Sequence, residues 1–120
     1  MFTIIFPVLN ERLRLESGVT RTVEYLQSIA FEDYEIIIVD NGSEDETPQI
    51  AENLCKKYDK VKYERINVRG VGAAFRRGVE VSHGDVVGYM DIDLSTNIRH
   101  LGEAIHLFET QPEIQYINGS

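Results

Sequence analysis

The sequence is poor in cysteine and in positive charge, and it has no long apolar run. Cys55 is the single cysteine among the 120 residues, which excludes an internal disulfide and favours a reducing compartment. No apolar run approaches the ~18 residues that a membrane-spanning helix requires. The stretch Phe2–Leu9 lacks a basic flank and a cleavage site, so we do not expect a signal peptide.

The charge balance is acidic, with 20 Asp and Glu against 12 Lys and Arg and a formal net charge of -8. Nucleic-acid surfaces need clustered Lys and Arg, so nucleic acid is not an expected partner. A phosphate-bearing ligand of so acidic a chain would need a bound cation. The composition is otherwise that of a globular protein, and the absence of a linker, a repeat or a composition shift predicts one domain over residues 1–120.

Apolar runs alternate with amphipathic segments along the chain, and this order predicts an α/β fold around a mainly parallel sheet. The third predicted strand alternates in polarity, so we expect it near an edge of the sheet. We expect the first strand to end at Pro7. The predicted strands are Phe2–Phe6, Tyr34–Val39, Val61–Ile66, Val86–Met90 and a fifth that begins at Ile114–Ile117. The predicted helices are Leu15–Ile29, one that opens at Thr47, Gly70–Ser82 and Ile98–Thr110.

Four polar segments follow the predicted strands. Ligands of open parallel sheets bind beyond the carboxyl ends of the strands, where these segments should meet. The pattern therefore predicts one ligand site, with Asp40, Asn67–Gly72 and Asp91–Asp93 gathered at one edge. The segments are Pro7–Glu11, Asp40–Thr47, Asn67–Gly72 and Asp91–Ser95.

Asp91 and Asp93 lie two residues apart after an apolar strand, so both side chains can face the same side of an extended segment. Two carboxylates about 4 Å apart repel by roughly 4 kcal/mol at an effective dielectric near 20, so a site that keeps both ionised needs a cation. Oxygen ligands suit Mg²⁺ or Mn²⁺, with diphosphate oxygens completing the shell. The alternative is a polar loop in which Asp93 caps the following turn.

Asp40 stands where a buried strand ends, and its carboxylate can accept hydrogen bonds from a ribose hydroxyl or a base N–H. The alternative is an Asx turn by Asp40 and Asn41, with Asp45 or Thr47 capping the next helix. We expect that capping, and it is compatible with ligand binding by Asp40.

The glycines Gly70, Gly72 and Gly78 do not form a dinucleotide fingerprint. Phe75 stands where the third glycine belongs, and the glycines follow the third predicted strand, whereas the fingerprint follows the first strand of its unit. They favour either a helix N-terminus that faces an anion or helix entry alone. Arg69, in the loop, can reach a phosphate. Arg76 and Arg77 are expected on a solvated helix face.

Nucleophilic catalysis has no support in the sequence. His83, His100 and His106 show no metal-ligand spacing and no catalytic partner. A Gly-x-Ser-x-Gly elbow is absent, and Cys55 is expected to be a buried helical residue.

Taken together, the four polar segments resemble the family-2 glycosyltransferases of the GT-A fold, a Rossmann-like three-layer fold that binds nucleoside-diphosphate sugars. Within that family the sequence is most similar to the dolichyl- or polyprenyl-phosphate sugar synthases. The similar motifs, spread over essentially the whole chain, are Pro7-Val-Leu-Asn-Glu11, Val39-Asp-Asn-Gly-Ser-Glu-Asp-Glu-Thr47, Asn67-Val-Arg-Gly-Val-Gly-Ala-Ala-Phe-Arg-Arg-Gly78, and Gly84-Asp85 followed by Met90-Asp-Ile-Asp-Leu-Ser95.

The resemblance implies a role for each matching residue. It implies that the nucleoside is contacted by Pro7, Leu9 and Glu11, and that Ile38 and Asp40 line the base and ribose pocket. It also implies that Asp91 contacts the donor, and that Asp91, Asp93 and Ser95 bind Mg²⁺ or Mn²⁺. Asn41 departs from the family pattern, in which a second aspartate is usual.

The family's catalytic base and acceptor segment lie beyond the last motif present, so no residue here is assigned as base. The resemblance implies inverting transfer to a polyprenyl phosphate or a glycan by a longer cytoplasmic or membrane-associated enzyme of cell-wall or glycan biosynthesis. We expect these 120 residues to be its donor-binding part, inactive alone and able to self-associate. A nucleotidyltransferase and a nucleotide-binding module without transfer activity remain alternatives.

Overall fold

The computed structural model describes residues 1–67, 70–90, 92, 101–103, 105–106 and 116–118. Strands and helices alternate through most of this range, as the sequence predicts. The strands are β1 (Phe2–Val8), β2 (Tyr34–Asp40), β3 (Val61–Arg65), β4 (Val86–Tyr89) and β5 (Tyr116–Asn118). The helices are α1 (Leu15–Ser28), α2 (Thr47–Lys57) and α3 (Val71–Val81). Residues 101–103 and 105–106 are also helical, inside the range predicted for a fourth helix.

The strands form one sheet in the order β3-β2-β1-β4-β5, and every neighbouring pair is parallel. The predicted mainly parallel sheet is therefore confirmed, with β3 at an edge as expected. No helix in the described ranges is long and apolar enough to cross a membrane.

The sheet is covered by helices on both faces, which gives three layers. Apolar side chains of β1 and β2 alternate between the faces, as the two-residue period of a strand requires. The face with α1 and α2 holds the larger core, which includes Phe2, Ile4, Phe6, Leu15, Val19, Leu26, Ile36, Ile38, Ala51 and Leu54. The face with α3 holds the smaller core of Ile5, Ile37, Val39, Ala74, Val87 and Tyr89.

The prediction that β1 ends at Pro7 is wrong, because the strand runs on to Val8. A proline inside a central strand removes a ladder donor. Successive residues of a parallel strand bond to alternate neighbours: the Ile5 carbonyl accepts from Met90 on the β4 side, and the Val8 carbonyl accepts from Asn41 on the β2 side. Pro7 therefore faces the β4 side, and β4 has already ended at Tyr89, so its missing N–H leaves no gap in the ladder.

Glu35 fastens the amino end of the sheet. Its buried carboxylate accepts hydrogen bonds from the Thr3 hydroxyl at 2.8 Å and from the His83 backbone N–H, and it lies 3.3 Å from His83 Nδ1. Burial alone would raise the pKa of Glu35, but these hydrogen bonds outweigh burial, and the pKa lies below its ordinary value. The contacts connect β1, β2 and the turn between α3 and β4.

Candidate functional site

The carboxyl ends of the strands meet at one edge of the sheet, because every pair is parallel. β1 reaches this edge at Val8, β2 at Asp40 and β4 at Tyr89. The predicted polar segments therefore begin at a common edge.

A cleft of about 270 Å³ opens at this edge, and we call it the carboxyl-edge cleft. The structure brings together in its wall three residues predicted to contact a nucleoside, Pro7, Leu9 and Glu11. The rest of the wall comes from Val8, Asn41, Gly70 and Tyr89. Their contacts with a ligand remain predictions.

The loop after β1 is tied to the loop after β2. Asn10 takes a left-handed backbone conformation with φ 53°, which asparagine tolerates better than most residues. Its side chain and backbone N–H both bond across to the second loop. The bonds are Asn10 N–H to Ser43 Oγ at 2.8 Å, Glu44 N–H to Asn10 Oδ1 at 2.8 Å, Glu11 N–H to Thr47 Oγ1 at 2.9 Å and Arg12 N–H to Asp45 Oδ2 at 3.3 Å. We call the two linked loops, residues 9–12 and 41–47, the double loop. Its hydrogen bonds hold Leu9 and Glu11 in the cleft wall.

Asp40 precedes the cleft residue Asn41 and has no exposed surface. Its Oδ1 accepts hydrogen bonds from the N–H groups of Gly42 at 3.0 Å and Ser43 at 2.7 Å, which is the expected Asx turn. Its Oδ2 accepts from the Tyr63 hydroxyl at 2.7 Å and from Arg65 Nη1 at 3.4 Å. The carboxylate is therefore satisfied inside the chain, and it shapes the turn that carries Asn41 into the cleft.

The pKa of Tyr63 is raised by its burial and by its contact with Asp40. Burial and the hydrogen bond to Asp40 raise the pKa of Tyr63 to about 12, against a smaller opposing effect of Arg65. The neutral phenol therefore remains a donor to Asp40 throughout the neutral range.

Ile38 is also fully buried, and its side chain belongs to the core between the sheet and the helices α1 and α2. The structure does not place it in the cleft wall. Its predicted part in a base pocket remains a prediction.

The N-cap residue of α2 is Glu46, which makes no side-chain cap bond, so the expected capping by Asp45 or Thr47 is not observed in that form. Asp45 instead precedes the N-cap, and its Oδ1 accepts a hydrogen bond from the Thr47 N–H at the start of the helix, at 2.8 Å. The Thr47 hydroxyl accepts from the Glu11 N–H. The start of this helix and the assembly of the cleft therefore use the same short loop.

The amino end of α3 reaches the cleft through Gly70, which lines it. Gly70 has φ 121°, a conformation that side-chain-bearing residues rarely adopt. The first backbone N–H groups of a helix carry partial positive charge and favour an anion nearby. Helix entry at Gly70 and a place in the cleft wall are both observed. An anion at this helix end remains a prediction.

The basic residues of α3 lie away from the cleft wall. Arg76 is exposed, as predicted, and borders a separate groove with Ile66, Ala73 and Glu80. Arg77 is instead half-buried and forms an ion pair with Glu64 of β3, with Nη2 and Oε1 2.8 Å apart.

Four predicted site residues lie outside the described residues: Arg69, Asp91, Asp93 and Ser95. Ile92, which lies between Asp91 and Asp93 in the sequence, is described and is buried against Gly18 of α1. Within the described part of the chain, no group of three His, Cys, Asp or Glu side chains is arranged to hold a metal ion. The predicted metal ligands are not in that part.

Sequence reasoning missed Asn10, Ser43, Tyr63 and Arg65 as builders of the site. For Asn10 a signal existed, since Pro-x-x-Asn-Glu was recognised as a motif, but the asparagine was given no role. Tyr63 and Arg65 stand on one side of an alternating edge strand, and nothing in that alternation indicates their partner.

The three layers, the parallel sheet and a cleft at its carboxyl edge are typical of the GT-A fold. The family model described as "Glycosyl transferase family 2" matches residues 3–117. The chain therefore belongs to the family-2 glycosyltransferases, which confirms the resemblance drawn from its motifs.

Two curated relatives show the same affiliation. The chain is 37% identical over 105 residues to glycosyltransferase AglD of Haloferax volcanii, covering 86% of this chain and 17% of that protein. It is 36% identical over 101 residues to dolichyl-phosphate beta-glucosyltransferase of Mus musculus, covering 78% of this chain and 31% of that protein. The chain thus spans less than a third of the length of either relative.

Solved structures show the same fold. A mannosyltransferase from Pyrobaculum calidifontis, in complex with GDP-Man and Mn²⁺, matches with a TM-score of 0.66 and 23% identity over 89% of this chain and 32% of that one. Glucosyl-3-phosphoglycerate synthase from Mycobacterium tuberculosis, in complex with Mn²⁺, UDP and phosphoglyceric acid, matches with a TM-score of 0.59 and 27% identity over 78% of this chain and 33% of that one.

Proposed function

We propose that this chain binds a nucleoside-diphosphate sugar in the carboxyl-edge cleft and supplies the donor site of a glycosyltransferase. The observation that carries the proposal is the cleft itself, in which Pro7, Leu9 and Glu11 meet Asn41 and Gly70 at the ligand edge of a parallel sheet. Membership of family 2 supports the same assignment.

The nucleoside is assigned to the half of the cleft formed by the double loop. Pro7 and Leu9 provide apolar surface for a base, and Glu11 provides a carboxylate for a base N–H or a ribose hydroxyl. Arg14 Nε lies 3.4 Å from Glu11 Oε1 and helps to orient it. Asp40 supports this half by fixing the turn that contains Asn41.

The diphosphate is assigned to the amino end of α3, with Arg69 as its direct cationic contact. Gly70 lets the backbone approach the ligand without a side chain in between. A net charge of -8 opposes any anion, so this part of the site needs further positive charge.

A divalent cation, Mg²⁺ or Mn²⁺, is assigned to Asp91, Asp93 and Ser95. These residues fit the group by their chemistry, since all three offer oxygen ligands and follow β4 at the edge where the cleft opens. Ile92, which separates the two carboxylates in the sequence, is buried against Gly18 of α1. The cation would neutralise charge that develops on the diphosphate leaving group. Glucosyl-3-phosphoglycerate synthase holds Mn²⁺ together with UDP, which supports the assignment.

In the whole enzyme, an acceptor oxygen would attack the anomeric carbon as the bond to the diphosphate breaks, with inversion at that carbon. The name of the relative from Mus musculus, dolichyl-phosphate beta-glucosyltransferase, supports a polyprenyl phosphate as acceptor, and a glycan is the second candidate. This chain's contribution is to hold the donor and its leaving group. We assign no catalytic base among its residues.

A thermal-shift panel tests the proposed function. UDP, GDP, their sugar conjugates and matching sugar 1-phosphates would be added to the chain with and without MnCl₂. At a ligand concentration 100-fold above Kd, binding stabilises the folded state by about 2.7 kcal/mol, so the unfolding temperature should rise clearly. We expect the rise with one nucleoside diphosphate and Mn²⁺ and not with sugar 1-phosphates. No rise with any nucleotide would contradict the proposal.

A further inference from the structure

Two residues of the edge strand β3 reach over the end of β2 to the buried Asp40. Tyr63 and Arg65 lie two apart on the strand and therefore point to the same side. The Tyr63 hydroxyl donates to Asp40 Oδ2 at 2.7 Å. Arg65 lies 3.4 Å from the same oxygen through Nη1, and through Nη2 it donates to the Ser43 carbonyl at 3.0 Å. One guanidinium therefore bonds to both ends of the Asx turn.

This contact matters because a buried carboxylate is stable only when its oxygens are paired. Arg65 provides the single cationic contact that the structure records for Asp40 within the described residues. Without the two β3 side chains, Oδ2 would lose both donors found among the described residues, and the carboxylate could turn towards solvent or towards other donors. Its other oxygen would then release the N–H groups of Gly42 and Ser43.

The Asx turn determines the shape of the cleft. Asn41, inside the turn, lines the cleft, and the Ser43 hydroxyl accepts from the Asn10 N–H. Asn10 lies between Leu9 and Glu11, which also line the cleft. The sequence of contacts therefore runs from β3 through Asp40 and Ser43 to the wall in which the nucleoside is expected.

Neither Tyr63 nor Arg65 belongs to the cleft wall. We propose that Tyr63 and Arg65 are positioning residues for the nucleotide site: they hold Asp40 in place and so preform the cleft wall for the donor. This inference rests on the proposed donor-binding function. It adds to that function a role for an edge strand whose residues do not line the cleft.

The test compares nucleotide affinity among variants of the whole chain. Arg65→Gln removes the charge and the pair of guanidinium donors that bond to Asp40 and Ser43. Arg65→Lys keeps the charge but not the paired donors, and Tyr63→Phe removes one hydroxyl. Arg76→Gln is the matched control for the charge change, since Arg76 is exposed and lies outside the cleft wall. Val61→Ala is the control for stability, since Val61 is buried at the start of β3 and its side chain is not part of the Asp40 network.

Titration calorimetry with UDP and with GDP, each with MnCl₂, would give Kd. The titrations would be run well below the unfolding temperature of every variant. We expect Arg65→Gln and Tyr63→Phe to weaken binding about tenfold and threefold, with partial recovery in Arg65→Lys. Arg76→Gln and Val61→Ala should remain within twofold of the unsubstituted chain. Amide exchange read by NMR should be faster at Gly42 and Ser43 in Arg65→Gln and unchanged there in Arg76→Gln.

Three results would overturn the inference. Affinity of Arg65→Gln within twofold of the Arg76→Gln control would remove Arg65 from the site. An equal loss in Val61→Ala would reduce the role of both residues to general stability of β3. Failure of the unsubstituted chain to bind either nucleotide would overturn the proposed function and this inference together, a result that differs from normal binding with insensitive variants.

Discussion

Asp40 shows how one buried side chain can organise the loops at the edge of a sheet, and its contact with a nucleoside remains a prediction. It stands at the last position of β2, where a buried strand meets solvent, and it accepts hydrogen bonds from two backbone N–H groups, a phenol and a guanidinium. An aspartate at this position was predicted to contact the nucleoside. In the structure, its carboxylate shapes the turn after β2 by accepting hydrogen bonds from the N–H groups of Gly42 and Ser43.

We predict that Asp40→Asn destabilises the fold by about 2–3 kcal/mol, because the amide would present a donor to Tyr63 and Arg65, which are themselves donors. Urea unfolding followed by circular dichroism would measure the change. Glu52→Gln, on the exposed face of α2, is the control and should change stability by less than about 0.5 kcal/mol. An equally small effect of Asp40→Asn would show that the carboxylate charge is not needed.

Glu35 makes the stability of the folded chain depend on pH in the acidic range. Its pKa is lower in the folded state, so its ionised form contributes stability that is present above the unfolded pKa near 4.5 and is lost as the pH falls through the folded pKa. We expect Glu35→Gln to cost about 1–3 kcal/mol at neutral pH. The difference from the unsubstituted chain should shrink as the pH falls below about 4.5. Urea midpoints measured across this range would check the trend, and a constant difference would contradict it.

At the scale of elements, α3 lies very close to the central strand β1. A Cβ built on Gly78 would lie 2.5 Å from Ile5 Cδ1 and 2.8 Å from Cγ1, closer than real carbon atoms approach. The glycine therefore sets the spacing between this helix and the sheet. The same spacing fixes where the amino end of α3, with Gly70, meets the cleft.

We predict that Gly78→Ala destabilises the chain by about 1–3 kcal/mol, because α3 must move off the sheet or Ile5 must leave its rotamer. Gly72→Ala is the matched control in the same helix, since nothing lies within 4 Å of a Cβ there. It should be neutral or stabilising by up to about 1 kcal/mol, because alanine favours helix more than glycine does. Thermal unfolding of both variants measures the contrast. Equal effects would show that helix propensity, and not packing, decides.

The sequence predicts elements better than it predicts the contacts between loops. The apolar run of β2 and the polar residues after it indicated a buried strand followed by a polar turn, and both are observed. Pro7 was expected to end β1 because a proline lacks a donor, but the shorter β4 makes that donor unnecessary. The bond between Arg65 and Asp40 depends on strand order and register, which no local pattern encodes.

At the scale of the whole molecule, the sheet order and the acidity of the chain act together. The order β3-β2-β1-β4-β5 places β1 at the centre, between the strand that ends at Asp40 and the strand that leads to Asp91. The central strand β1 therefore has as its neighbours both β2, which ends at Asp40, and β4. The net charge of -8 opposes the approach of a diphosphate, and the proposed cation would offset that repulsion.

The measurement that tests the central claim most directly is titration calorimetry of the preferred nucleoside diphosphate against the chain and its Asp93→Ala variant. Each would be titrated in MnCl₂ and again in excess EDTA, with Asp59→Ala, an exposed residue beyond α2, as the control for removal of one charge. We predict binding by the unsubstituted chain and by the control in Mn²⁺, and loss of at least about tenfold in affinity in EDTA or in Asp93→Ala. Equal affinity in EDTA, or an unchanged affinity in Asp93→Ala, would contradict the claim that a divalent cation joins this chain to its donor.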